Sequence, residues 1–502
     1  MNSELFSGDL STLDVDLLVF TVTGEHESWT PALRQMDQAL DGLLQTVADE
    51  QEFTGKPETS VVLHTHGRVA SRRIALLGVG DSNEALHSIR NHAAAASTLA
   101  DSLRLKSLGV ILSVSQDSSR ALRFALEGAT LGMYRFHTYR TRDMKAASVE
   151  RIVIAMEADE GLIEIASNDV QSAQALSQAT TTAISLARDL VNEGPRTANP
   201  QRLADVAEQI ARDEGLECTI HGMEAIRERK MELILAVNAG SDLDACLIHL
   251  TYRPENVTEE TPRIAFVGKG LTFDAGGYNI KPTGAIDDMK IDMAGGAAVL
   301  GAMKAISALA PNCIVHGIVP STENLINGSA MKLGDVYTGQ NGKTVEIRNT
   351  DAEGRLILAD ALCYANEQGL DEVFSLATLT GACVVALGPY TAGVFSNSEA
   401  MRSDVLDSAE SMGEDAWALP LNKKLKRMLK SDVADLKNVG ERWGGAITAG
   451  LFLEEFVDGT DWTHIDLAGP SYLSSSVEAH IAKGGTGWGV LTLLEYAARK
   501  SA

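Results

Sequence analysis

The octapeptide Asn349-Thr350-Asp351-Ala352-Glu353-Gly354-Arg355-Leu356 places two carboxylates two residues apart beside a guanidinium. It comes after an alternating run, Val345 to Arg348, of the kind that forms a strand. Residues two apart on extended backbone point the same way, so Asp351 and Glu353 can face one site. Upstream lies a second group of acids and amines: Lys269, Asp274, Lys281 and Asp292. Hard oxygen donors gathered from several strand ends are what a pair of divalent metal ions requires. These residues predict a metal-dependent hydrolase.

Each residue also has an ordinary structural reading. Asp351 can cap a helix that begins near Glu353, with Arg355 as a surface charge. Asp274, beside Gly276-Gly277, can be a turn residue. Lys281, in Asn279-Ile280-Lys281-Pro282, can be a solvated loop lysine. Asp292 can be a carboxylate favoured at a helix start. Those readings leave one thing unexplained. Four acids and two lysines fall within an 85-residue window, all at predicted strand ends and helix starts. Rival chemistries lack their signatures. Gly268-Lys269-Gly270 does not have phosphate-loop spacing, and neither HExxH nor GxSxG is present. His464 lies on a strand-like run and is expected to fill a core hydrogen bond.

The elements that must position these groups alternate between strand and helix. In the first third, apolar runs at Asp16 to Val22, Arg73 to Gly80, Leu108 to Val114 and Arg151 to Glu157 are separated by Ala-rich helical stretches. Ala173 to Leu190 has the period of a connecting helix, broken by Gly194 to Pro200. Further on, strands are predicted at Ile264 to Val267, Ile314 to Pro320, Glu346 to Thr350, Val373 to Leu379 and His464 to Ala468. Helices are predicted at Asp292 to Leu309 and Leu356 to about Asn366. The expected fold class is α/β with two domains. Residues 1–170 form a smaller N-terminal α/β domain for support, assembly or regulation. Residues 171–502 form a larger catalytic domain with a mixed sheet flanked by helices. Ligands of such sheets gather beyond the carboxyl ends of strands, where Lys269, Asp351 and Thr380 fall.

The 502 residues include 43 Lys and Arg against 68 Asp and Glu, a formal charge of −25. That sign repels phosphate backbones and anionic membranes, and attracts divalent cations and free amino termini. No basic cluster with interleaved aromatic residues stands out, which argues against a nucleic-acid partner. The five cysteines are scattered without CxxC spacing and read as reduced thiols of a cytoplasmic protein. Neither a signal peptide nor a membrane-length apolar run is expected.

At these residues the chain resembles the leucyl aminopeptidase family, the M17 or cytosol aminopeptidases. The octapeptide at 349–356 stands as that family's signature. Val267 to Asp274, Ile280 to Pro282, Met289 to Met293 and Ala377 to Ala382 match further blocks in order, as do Arg188 to Glu193, Lys437 to Gly440 and His464 to Gly469. The likeness runs from about residue 180 to the end. In the first third it rests mainly on Leu131 to Phe136 and overall layout.

The resemblance implies two divalent ions per subunit, Mn or Zn with Mg and Co as alternatives. Lys269, Asp274, Asp292 and Glu353 would hold the tighter one. Asp274, Asp351 and Glu353 would hold the more exchangeable one. Lys269 must then ligate as a neutral amine. It further implies a hydroxide bridging the metals as nucleophile, Lys281 as oxyanion stabiliser, and a bicarbonate on Arg355 as proton shuttle. Met289, Thr378, Leu379, Gly381 and Ala468 would line an apolar pocket for the first side chain, preferring Leu. Peptides with a free N-terminus would be the substrates, and a homohexamer the assembly. Gly194-Pro195-Arg196-Thr197 and Met331-Lys332-Leu333-Gly334 depart from the commonest family forms and bear on loop shape and fine specificity. An additional DNA-binding role, an inactive scaffold and a cysteinylglycine dipeptidase are the alternatives. No ligand is missing, which speaks against the scaffold.

Overall fold

The apolar runs of the first third form strands because their β-branched and aliphatic residues are buried on both faces of a mostly parallel sheet. The structure, a computed structural model, describes residues 2–80, 85–114, 117–142, 144, 146–158 and 161–500. These residues fall into two compact units, Met1–Thr181 with Ser476–Ala482, and Thr182–Ser475 with Lys483–Ala502. The helix Ser167–Asn192 contributes residues to both, and it contains the segment expected to connect them.

The first unit holds strands β1 (Asn2–Leu5), β2 (Leu17–Val22), β3 (Ser60–His64), β4 (Arg73–Gly78), β5 (Ser107–Ser113), β6 (Arg151–Ala158) and the two-residue β7 (Gly161–Leu162). Their order is β1-β6-β5-β2-β4-β3, with β7 on β6. All neighbours are parallel except β3 and β7. Strands β1 and β3 carry no sequence signal of the kind used above. Both are edge strands: β1 is mostly polar, and the apolar run of β3 is only Val61 to Leu63, shorter than those of the interior strands.

Helices Ser88–Ser102 and Ser118–Leu131 pack closely, with small residues at the contact: a Cβ on Gly132 would lie 2.6 Å from the Ala94 carbonyl oxygen. Between them Glu127 is fully buried. It accepts from Arg90 Nη2 at 2.8 Å and from Arg123 Nε at 2.8 Å. Burial works against its charge, but the two guanidinium groups outweigh burial and hold the carboxyl below its usual range. Removing one partner of a buried pair strands the others. Glu127→Ala is expected to destabilise this unit by about 3–5 kcal/mol, seen as a lowered urea midpoint.

The second unit contains β8 (Glu217–His221), β9 (Cys246–Tyr252), β10 (Arg263–Gly268), β11 (Gly270–Asp274), β12 (Ile314–Asn324), β13 (Val336–Thr338) and β14 (Thr344–Glu346). It continues with β15 (Glu372–Ala377), β16 (Ala392–Ser396), β17 (Ala416–Ala418), β18 (Leu436–Lys437) and β19 (Asp461–Asp466). The main sheet runs β17-β16-β19-β15-β10-β12-β9-β8, with β11 on β12, and β13, β14 and β18 form a small separate sheet. Its centre, β19-β15-β10-β12, is parallel, while β8, β9 and β16 pair antiparallel. The sheet is therefore mixed, as expected.

Parallel centres place several strand ends at one edge, and here the ends of β10 and β11 bring Lys269 and Asp274 there, with the other acids and Lys281 supplied by adjoining loops and helix starts. β11 is offset by a bulge between Leu271 and Phe273, which re-aims Asp274. The helix Gly354–Asn366 is buried from Gly354 to Ala365 and shares a core with Val267, Ile318 and Val373. Its start is thus fixed against the sheet. Four of the five free cysteines are buried, where loss of hydration pushes their thiols up to about 12, and Cys218 is half-buried. Among the described residues, no helix is long and apolar enough to cross a membrane.

Candidate metal centre

Lys269 comes directly after the last residue of β10, and its backbone N–H donates to the Leu376 carbonyl on β15 at 2.9 Å. Its buried ammonium lies 2.7 Å from both carboxylate oxygens of Asp292, 2.9 Å from Glu353 Oε1 and 3.3 Å from the Thr378 carbonyl. A Cβ on residue 354 would meet the Lys269 Nζ at 2.5 Å. Gly354 of the signature is therefore the space this lysine occupies.

Asp274 ends β11. Its Oδ1 accepts from the Gly276 N–H and from Asn324 Nδ2, both at 2.8 Å, and its Oδ2 lies 2.8 Å from Lys281 Nζ. Lys281 Nζ also lies 2.6 Å from Asp351 Oδ1. Between them the chain turns through Gly276 (φ 87°) and Gly277 (φ 61°), left-handed conformations that favour glycine. The donor oxygens of Asp274, Asp351 and Glu353 can all lie within 4.8 Å of one another.

The ordinary readings fail at most of these positions. Asp351 does not cap the helix that starts at Gly354, and Arg355 is buried rather than a surface charge. Lys281 is largely buried between two carboxylates. Asp292 comes after the short turn Met289–Ile291 and accepts from Lys269 and from Thr378 Oγ1 (2.7 Å), not from helix N–H groups. Only Asp274 does both, stabilising the Gly276 turn while facing the cluster.

Charge decides what the cluster can hold. Four carboxylates meet two ammonium groups, so full ionisation would leave two uncompensated negative charges in a largely buried volume. Burial and the neighbouring Glu353 and Asp292 push Asp274 up to about 8. Burial and Glu353 push Asp292 up to about 6 against the pull of Lys269, and Asp351 is also raised, chiefly by burial. Burial opposes the charge on Lys269 and Lys281, but the surrounding carboxylates outweigh it and raise both. Glu353 Oε2 is buried without a hydrogen bond, while Asp292 Oδ2 and Asp351 Oδ1 contact lysine nitrogens without hydrogen-bond geometry. Under-satisfied hard oxygens with excess negative charge fit divalent cations.

The residues expected to line a pocket flank this cluster. Leu379 and Ala468 are brought together because their N–H groups both donate to Asp466 Oδ1, each at 3.2 Å. Thr378 touches Asp292 through its hydroxyl. Met289 is half-buried three residues before Asp292, and Gly381 is exposed at the start of Gly381–Leu387.

Several supporting residues have no role assigned from the sequence. Asn324, at the end of β12, ties Asp274 to the Thr350 carbonyl (3.0 Å). Asn438 is fully buried: its Oδ1 accepts from the Arg348 and Asn349 N–H groups, and its Nδ2 donates to Asn349 and Ala352 carbonyls. Its own carbonyl accepts from Arg355 Nη1 at 2.9 Å. Asn438 is visible within a matching block, but Asn324 carries no local signal, because its partner lies fifty residues away. Outer hydrogen bonds of this sort typically change metal affinity 10–100-fold. Asn324→Ala is expected to weaken Mn²⁺ binding by about that factor, measured by calorimetry.

His464 is buried and hydrogen-bonds Ser375 at 3.0 Å, as expected of a core histidine.

Fold and cluster together define a two-domain α/β hydrolase with a carboxylate–lysine centre suited to metal ions. The family model for the catalytic domain of the cytosol aminopeptidase family matches residues 185–494, and the model for that family's N-terminal domain matches 17–143. The chain belongs to the cytosol aminopeptidase family, and it is an aminopeptidase. It is 42% identical over 507 residues to a probable cytosol aminopeptidase of Synechococcus sp. (strain CC9605), covering 100% of both chains. It is 39% identical to leucine aminopeptidase 1 of Arabidopsis thaliana, covering 99% of this chain and 94% of the relative. Among solved structures, a tomato leucine aminopeptidase mutant superposes with a TM-score of 0.88 at 35% identity, covering 99% of this chain and 96% of that one. The bottromycin maturation enzyme BotP, in complex with Mn, gives 0.84 at 30%, covering 97% and 100%.

Proposed function

We propose that this chain removes N-terminal residues, leucine foremost, from peptides at a centre of two divalent ions. Lys269, Asp274, Asp292 and Glu353 would hold one ion, and Asp274, Asp351 and Glu353 the other. The observation that carries this reading is the convergence of Asp274, Asp351 and Glu353 with Lys269 and Asp292 from two strand ends, a turn and two helix starts remote in sequence. When bound, the ions supply Lewis acidity, an activated water and an anchor for the substrate amine. Manganese has support from the Mn complex of BotP. Zn, Mg and Co share the same donor preference.

The chain's own groups do the remaining work. Lys269 must release its proton to serve as a ligand. Lys281, cationic and on the Asp274–Asp351 side of the cluster, stabilises the developing oxyanion. Arg355 is buried, with its Nε lacking a partner and Nη1 held by Asn438. A buried guanidinium with an unpaired N–H fits an anion, and bicarbonate there would carry a proton from water to the leaving amine. Thr378 and the segments bearing Met289, Leu379, Gly381 and Ala468 shape the pocket for the first side chain. Residues 1–170 serve support, assembly or regulation, and 171–502 catalysis, in a cytoplasmic homohexamer.

A panel of aminoacyl amides tests this. Leucine and methionine amides are expected to be cleaved with the highest kcat/KM, and N-acetyl-leucine amide not at all. Equal cleavage of the acetylated compound would refute amine anchoring.

A further inference from the structure

In a chain of net charge −25, residues 423–443 carry seven basic side chains against three acidic ones. The segment comprises the turn-like helix Lys423–Leu429, the strand β18 and the loop that leads to helix Gly445–Glu454. Lys423 and Lys426 are neutralised by Glu454 and Glu455. Lys424, Arg427, Lys430, Lys437 and Arg442 have no ion-pair partner among the described residues, and all but the half-buried Lys437 are exposed. The overall acidity of the chain masks this run at the level of composition.

The strip is continuous with the active site. Asn438, in its middle, holds Arg355 and clamps the backbone of residues 349 and 352. A Cβ on Gly445 would touch the Ala382 Cβ at 3.2 Å, next to Gly381 of the proposed pocket. A Cβ on Gly444 would lie 2.9 Å from Leu425 Cδ1, which joins the loop tip to the Lys423–Leu429 turn. At that tip Trp443 is 70% exposed, with the Arg442 guanidinium 5.4 Å over its ring. An exposed tryptophan under an unpaired arginine is an amphipathic platform suited to extended peptide ending in an anion.

We infer that this basic rim receives the downstream part of the peptide substrate, and favours peptides whose residues beyond the scissile bond are acidic or end in a nearby free carboxylate. The inference rests on the aminopeptidase reading of the same site. The first residue is held in the pocket, and the rest of the peptide passes over the rim, where Arg442, Lys424 and Arg427 meet negative charge. In so acidic a molecule the rim also steers anionic peptides that the remaining surface repels.

The test compares kcat/KM for Leu-Gly-Asp-Asp with that for leucine p-nitroanilide, which has nothing to lay on the rim. The Arg442→Gln/Lys424→Gln enzyme is expected to lose about tenfold in this ratio, the sum of two exposed charge pairs toward the upper end of their range. Raising salt is expected to lower the wild-type ratio as well, since such pairs are screened. For the uncharged Leu-Gly-Ser-Ser amide the corresponding ratio is expected to stay constant in the variant. An Arg427→Gln/Lys430→Gln enzyme gives an independent second measurement. An unchanged acidic-peptide ratio in both variants overturns the inference. So does a changed elution volume on gel filtration, which assigns the rim to a second copy of the chain, or loss of binding to a duplex DNA fragment with the ratio constant. Wild-type protein that fails to cleave the anilide overturns the aminopeptidase reading instead.

Discussion

Lys281→Ala is expected to lower kcat for leucine amide by about 10²–10³, the usual effect of removing one donor from a developing oxyanion. Asp351→Ala is expected to abolish hydrolysis, because it removes one of three carboxylates whose oxygens converge within 4.8 Å and are proposed to hold metal. The two substitutions act differently, and the kinetics separate them. Lys281 is proposed to act in the transition state, so kcat and kcat/KM are expected to fall together while KM moves little. Asp351 is proposed to hold an ion, so its loss is expected to lower metal content as well as rate. Neither residue lies in an apolar core, and both variants are expected to elute from gel filtration as the wild type does. Full activity in either refutes its assigned role, and a raised KM at unchanged kcat would make Lys281 a ground-state contact.

Metal binding is expected to stabilise the protein more as pH rises from 6 to about 8.5. The cluster sets the sign. Asp274 is pushed up to about 8 and Asp292 up to about 6, both above their unfolded values. A carboxyl with a raised folded pKa adds stability while protonated, and loses that contribution as pH climbs through its folded value. Metal-stripped protein therefore weakens across this window. Protons and cations compete for the same oxygens, so added Mn²⁺ binds more tightly as those protons leave. At a hundredfold excess over Kd the stabilisation is about 2.7 kcal/mol, a rise in Tm of about 3–4 °C for a unit of this size. Thermal scans with and without Mn²⁺ at three pH values check this. A metal-induced shift that is flat or shrinks with pH contradicts an excess of buried negative charge at the cluster.

Much of this site is legible in the sequence because its residues occupy junctions where strand periodicity gives way to loop or helix. Lys269 succeeds the readable apolar run of β10; β11, which ends at Asp274, is not among the expected strands, and the strand expected at Glu346 to Thr350 stops at Glu346, so Asp351 and Glu353 sit in the turn and cap before helix Gly354–Asn366. Contact between remote segments is hidden. Nothing near Asn324 indicates that it bridges Asp274 and Thr350, since that bridge exists only once β11 and β12 pair. Asp466 falls in a matching block, yet the sequence does not show that it gathers the Leu379 and Ala468 N–H groups. Boundaries shift for physical reasons. The helix expected from Asp292 begins at Ala294, because Asp292 turns its side chain to Lys269 instead of to the helix. β12 runs on to Asn324, beyond the expected Pro320, because its far end pairs with β11. Strands β8 and β9 are not expected from the sequence. Glu217–His221 is polar, whereas Cys246–Tyr252 is an apolar run between Gly240-Ser241-Asp242 and Pro254, a strand signal that the expected set does not include.

The carboxylates and Lys269 are held to bind two ions that the reaction needs. The direct measurement is the molar ratio of bound Mn²⁺ to chain after saturation and gel filtration, alongside leucine amide hydrolysis. It is made on wild-type protein, on protein dialysed exhaustively against chelator, and on Glu353→Gln. The expected results are two ions per chain with full activity, no ions with no activity until Mn²⁺ is restored, and fewer than two with activity lost. Chelator-treated protein that carries no metal and hydrolyses leucine amide at the original rate would contradict the two-ion centre outright.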